Sequence, residues 1–177
     1  MDTKAQILAI ARDLFARQGY RGTSIADIAR ALGTTPAALY YHYRSKADVL
    51  DAILAEPLAA YAELAERARS GKLGAEELLG AFIDFTAETR QLMPVVSSDP
   101  AVRALLDERL PHTPAEMAEA IIAALARGSA EPERLIEARA AYAAAKEGTV
   151  AALDLGDGTL SPEHRKVILA TALRALG

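Results

Sequence analysis

Apolar residues recur along this chain at three- and four-residue intervals and almost never in strict alternation, the pattern of helices with one buried face. Ile7, Leu8, Ala11, Leu14 and Phe15 form the first such face, and Gly19 closes it. Ile25, Ile28, Ala29 and Leu32 form the second, with Ser24 in cap position, Asp27 three residues on, and Gly33 as a stop. Thr35 can cap a short third helix with Pro36 in its first turn, ending near Tyr43 and Arg44. Ser45 then caps a long helix from Lys46 to Arg69, interrupted only by Pro57, which should kink it or remove one backbone bond. Further helices are expected over 75–90, 100–109, 114–127, 132–154 and from Pro162 to Leu176. The segments "SGKLG", "MPVVSSDP", "LPHTP", "GSAEPE" and "LGDGTLSP" break them apart. No strand pattern, internal repeat or low-complexity linker interrupts the series. The predicted fold is all-α with about nine helices: a three-helix head (1–47) and a helical-bundle body (48–177), with the long helix joining them.

Composition narrows the function. Cysteine is absent, which excludes disulfides and thiolate metal sites. His42, His112 and His164 lie far apart, so neither a metal nor another cofactor is expected. No stretch approaches the roughly 18 uncharged apolar residues that a membrane span needs, and the N-terminal pattern carries charges, so a cytoplasmic protein is expected. The net charge of −4 hides an asymmetry. Residues 1–50 hold seven Lys/Arg and four acids, net +3; the rest holds 13 bases and 20 acids, net −7. A basic head on an acidic body suits a nucleic-acid binder with a separate second function.

Aromatic residues are 5% of the chain, yet Tyr40, Tyr41, His42 and Tyr43 stand together, beside Arg44 and Lys46. Four polar rings in a row are hard to satisfy in a core. They suit a helix offered to a phosphate backbone. Two short helices joined by a glycine turn, "SIADIARALG" and "TTPAALYYHY", have helix-turn-helix dimensions, in which the second helix enters the major groove. Tyr40, Tyr41 and His42 then face phosphates or thymine methyls, Tyr43 falls back on the core, and Lys46 adds a charge and a free amide at a helix start.

These residues resemble the DNA-binding head of the TetR family of transcriptional repressors. The resemblance rests on Ser24, "DIA" at 27–29, Gly33, Leu39-Tyr40, the aromatic Tyr43 and Lys46, and covers about residues 5–52. It implies an all-helical homodimer on a palindromic double-stranded DNA operator, with a small-molecule cavity in the body whose occupancy releases the DNA. By position it makes Tyr40, His42 and Lys46 phosphate contacts, with Ser24 a further one. It sets Thr35, Pro36, Ala37 and Tyr41 near base edges, with Thr34 beside them. The chain departs from the family pattern at Ala26, Ala38 and Tyr43. The first turn of the reading helix has no Arg, Lys, Asn or Gln to make bidentate base contacts, so direct readout should be thin. Thr35 and Tyr41, apolar contacts from Pro36 and Ala37, and DNA shape should supply it.

In the body, the larger apolar and amphipathic residues of the middle helices, Tyr61, Phe82, Phe85, Met93, Met117, Ile121 and Tyr142, are the candidate ligand wall. Small residues at helical spacing, Ala141, Ala145, Gly148 and Ala152, together with Ile168 and Thr171 of the last helix, are the candidate dimer face. Packing of these small residues within the chain is the competing reading. A helix-turn-helix protein that organises DNA or binds a protein partner without a ligand is the alternative function. An enzyme has no support, since no nucleophile–base pair, phosphate-cradling loop or metal cluster appears. The long helix is the natural lever between body and head. Pro57→Ala should therefore change the ligand concentration needed for DNA release more than it changes ligand affinity. Titration calorimetry beside a DNA-release assay separates the two, and equal shifts in both count against the lever.

Overall fold

A computed structural model describes residues 3–92, 95 and 99–177. Among these residues the chain forms nine α-helices and no strand: α1 (Thr3–Gly22), α2 (Ile25–Leu32), α3 (Pro36–His42), α4 (Lys46–Arg69), α5 (Ala75–Thr89), α6 (Pro100–Arg109), α7 (Pro114–Leu125), α8 (Pro132–Leu155) and α9 (Pro162–Arg174). A 3-10 turn at Arg90–Leu92 follows α5. Most of the "MPVVSSDP" break lies outside the described residues.

Side chains set the helix starts. Ser24 Oγ accepts from the Asp27 N–H at 3.1 Å while the Asp27 carboxylate accepts from the Ser24 N–H at 3.0 Å, a complete capping box. Thr113 and Glu116 repeat it at α7, and Ser161 caps α9. Prolines occupy the first turns of α3, α6, α7, α8 and α9, where no amide donor is needed. Gly19 stops the first helical run as expected: at φ 76° and ψ 160° it is not helical, and the chain kinks there before one more short helical turn to Gly22.

The chain divides into two compact units. The first comprises the N-terminal residues through Leu58 together with Gln91–Pro111. Its core is Ile7, Phe15, Ile28, Leu39, Val49, Leu50 and Leu54, joined by Val102 and Leu106 of α6. Asp99, only 7% exposed, fastens α6 to this unit. Its carboxylate accepts from the backbone N–H groups of Arg21 and of Ala101, both at 2.9 Å, so it caps α6 and binds the end of α1 at once. These bonds, with the charges of Arg21 and Lys46, hold the Asp99 carboxyl below its ordinary range.

The second unit comprises Ala59–Arg90 and His112–Gly177. Tyr61, Leu64, Leu78, Leu79, Phe82, Ile83, Met117, Ile121, Ile168 and the alanines of α8 form its core. Close helix approach depends on missing side chains. A methyl at Gly148 would lie 3.3 Å from Ile168 Cγ2, and one at Gly80 would lie 3.1 Å from Arg165 Nη2. Arg165 in turn grips Asp84 through two bonds of 2.6 and 2.7 Å, tying α9 to α5. The candidate dimer residues take part in this packing. Ala141 and Ala145 are fully buried in the chain's own core, Ala152 and Ile168 nearly so, and Gly148 meets Ile168. They serve the packing of α8 on its own neighbours, which spacing alone cannot distinguish from packing on a second copy. Thr171 is exposed.

Asp99 supplies a test. Its folded pKa lies below the unfolded one, so its contribution to stability is complete above about pH 4 and is lost as pH falls through the depressed folded value. Asp99→Ala should cost about 1–3 kcal/mol in urea denaturation at neutral pH. The gap to wild type should narrow in acid; a gap that does not change with pH would show that the charge contributes nothing.

Candidate nucleic-acid interface

The turn between α2 and α3 is closed by backbone. Gly33 is left-handed at φ 72°; its N–H donates to Arg30 O at 3.1 Å, and the Thr34 N–H donates to Ala29 O at 2.9 Å. This pattern ends α2 with its last carbonyls satisfied. Thr35 then caps α3, accepting from the Ala38 N–H at 3.3 Å. Of the residues of α3 only Leu39 is buried. At about 100° per residue, Ala37 and Tyr41 point away from Leu39, while Ala38 and Tyr40 flank them. Exposure follows that geometry: Tyr41 is 88% exposed and Tyr40 53%. Thr35, Pro36 and Ala37 are exposed too, and Thr34 is half-buried. His42 is half-buried with its ring edge-on to Tyr41 at 5.3 Å, and Tyr43 packs against the core.

Several polar groups expected to face outward are engaged within the head. The Ser24 hydroxyl donates its one proton to Asp27 Oδ2 at 2.5 Å, and Arg30 pairs with the same carboxylate at 2.9 Å. These bonds hold the Asp27 carboxyl below its ordinary range, the Ser24 hydroxyl contributing most. Lys46 Nζ donates to Tyr20 O at 2.6 Å and Thr23 O at 2.7 Å, and lies 4.2 Å from the centre of the Tyr20 ring. Burial pushes its pKa down, and the Asp99 carboxylate pulls the other way. Two of the three ammonium donors are thus spent on the carbonyls that end α1, leaving one. This inward role of Lys46 was not legible in the sequence, because its partners lie 23 and 26 residues away.

Residues 7–53 match the family model described as bacterial regulatory proteins, tetR family. The head of this chain is therefore similar to that of the TetR family. The chain is 40% identical over 52 residues to the HTH-type transcriptional regulator AcrR of Shigella flexneri, covering 29% of this chain and 24% of that one. It is 43% identical over 51 residues to the HTH-type transcriptional repressor KstR2 of Rhodococcus jostii, covering 29% and 25%. The match thus spans about a quarter of the length of these curated relatives. These relatives are regulators, not enzymes. The fold likeness extends further. The crystal structure of Mycobacterium smegmatis AmtR superposes with a TM-score of 0.69 at 26% identity over 100% of this chain and 87% of that one. A transcriptional regulator from Aquifex aeolicus superposes at 0.68, with 18% identity over 99% and 100%. The likeness of fold therefore covers the whole chain, while the family match stops early in α4.

In the second unit, four of the candidate ligand-wall residues form one aromatic cluster. Ring centres are 4.8 Å apart for Tyr61–Phe85 and 4.4 Å for Phe82–Tyr142, nearly parallel in both cases. The Tyr61 and Tyr142 hydroxyls meet at 2.8 Å, and burial raises both phenol pKa values. Met117 and Ile121 belong to the same core; Met93 lies outside the described residues. A separate cleft of about 330 Å³ is lined by Leu125, Ser129, Arg134 and Leu176 among others, and by none of the candidates. Among the described residues, the exposed large hydrophobics are Tyr40 and Tyr41 on α3, Ile136 and Leu155 on α8, and Val167 on α9. Ile136 and Leu155 escaped the sequence reading because α8 carries small apolar residues on both its faces.

Lys46→Ala should lower stability without DNA by on the order of 1 kcal/mol, because two carbonyls lose their donor. Thermal unfolding of the free protein checks it. A variant as stable as wild type would return Lys46 to a purely surface role.

Proposed function

We propose that this chain is a transcriptional repressor that binds a palindromic operator as a homodimer and is released by a small molecule. The observation that carries it is α3, anchored by Leu39 alone, with Ala37, Tyr40 and Tyr41 held outward on a helix-turn-helix frame. Tyr40, Tyr41, the Thr35 hydroxyl and the remaining Lys46 donor supply contacts to phosphate and base. The Ser24 proton is committed inward, so a phosphate near α2 is gripped through first-turn amides instead. His42 buttresses Tyr41. A second copy pairs across α8 and α9. The outward face of α8 is Ile136, Ala140, Ala143, Glu147 and Ala151, and Val167 and Thr171 are exposed on α9. Pairing there covers the three exposed aliphatic side chains and sets two heads on half-sites about 34–36 Å apart. The protein acts where the DNA is, in the cytoplasm.

The effector binds among Tyr61, Phe82, Phe85, Met93, Met117, Ile121 and Tyr142, and the rings must part to admit it. Close contact between those rings also favours a second reading, a helix-turn-helix protein with no ligand. Ligand-dependent loss of DNA binding decides between the two. The first test is selection from random duplex DNA at several salt concentrations. An enriched palindrome with half-sites one helical turn apart is expected, with affinity falling steeply with salt. Weak binding with no enriched sequence would sink the repressor reading.

A further inference from the structure

The head commits several polar groups to its own frame. The Ser24 proton and one Arg30 N–H go to Asp27, and two Lys46 donors go to backbone carbonyls. The exposed residue of α2's first turn is Ala26, which has nothing to donate. On α3 the ridge opposite Leu39 consists of Ala37 and Tyr41, one turn apart. Arg44 lies past the end of α3, whose C-cap is Tyr43. The ridge of α3 opposite Leu39 therefore offers a methyl group and a phenol ring, and that ring is 88% exposed.

Such a ridge cannot distinguish base pairs by paired hydrogen bonds. The one apolar feature a base edge shows in the major groove is the 5-methyl group of thymine. We propose that Ala37 and Tyr41 select thymine by its 5-methyl group, so that this ridge reads the methyl and not a hydrogen-bond pattern. This rests on the reading of the chain as a DNA binder and names the chemical feature of DNA that its reading helix recognises. The methyl packs against the Ala37 Cβ and the Tyr41 ring face, burying apolar surface that is exposed in the free protein. The Tyr41 hydroxyl remains available to phosphate or water.

The test replaces each thymine of the selected operator in turn by deoxyuridine, which removes only the methyl. Affinity is read by fluorescence anisotropy at two salt concentrations. At one or more thymines of each half-site, the change should weaken binding about fourfold per methyl, the loss expected for one buried methyl-sized group. The loss should be the same at both salt concentrations, unlike a lost phosphate contact. Tyr41→Ala, at a position too exposed to threaten the fold, should weaken binding to the thymine operator and make thymine and deoxyuridine equivalent there. Equal affinity for every deoxyuridine operator overturns the proposal, as does a selected half-site without thymine. A deoxyuridine effect that Tyr41→Ala leaves unchanged overturns the assignment to this ridge. If selection returns no motif, the DNA-binding reading itself fails, which is distinct from an operator that is found but indifferent to its methyl groups.

Discussion

The burial of Leu39 is the constraint on which the head's function depends. A seven-residue helix with one inward side chain has little to hold it, and its rotation decides which residues face outward. The turn at Gly33 and Thr34, the Thr35 cap and Pro36 fix where α3 starts. Leu39, seated against a core that includes Phe15, Ile28 and Leu50, fixes its angle. A polar residue at 39 would lose the anchor and with it the direction of Ala37 and Tyr41. The exposed rings are the complement of one buried leucine.

Around that anchor, charged groups do structural work first. Lys46 ties the start of α4 to the carbonyls that end α1, and Asp99 ties α6 to the same stretch of backbone. Both act on main-chain groups that helix ends leave without partners. Net charge alone suggests that every basic residue of the head faces a phosphate. The geometry instead divides them between holding the frame and meeting the outside.

Much of the frame was legible because its signals are local. Ser24 with Asp27, Gly33, Thr35-Pro36 and the Leu39 spacing each act within one turn, and each helix start they predicted is observed. The inward ties of Lys46 and Asp99 were not legible, since they join residues distant in sequence. Nor was the allegiance of the α8 alanines. Ala141 and Ala145 face the chain's own core, while Ala140 and Ala143 face outward, and a helix with alanine all round gives periodicity nothing to choose between. Gly19 was legible: it breaks the helical geometry of α1 where the sequence placed a stop.

The contact of Gly148 with Ile168 ties two positions twenty residues apart into one volume. Another methyl there is tight, so the facing side chain must yield by a few tenths of an ångström. Through descent, a larger residue at 148 should be found more often in company with a smaller one at 168. The pair would drift as a unit while the neighbouring alanines vary alone. That joint drift is how the spacing of α8 and α9 would be preserved through changes in everything around it.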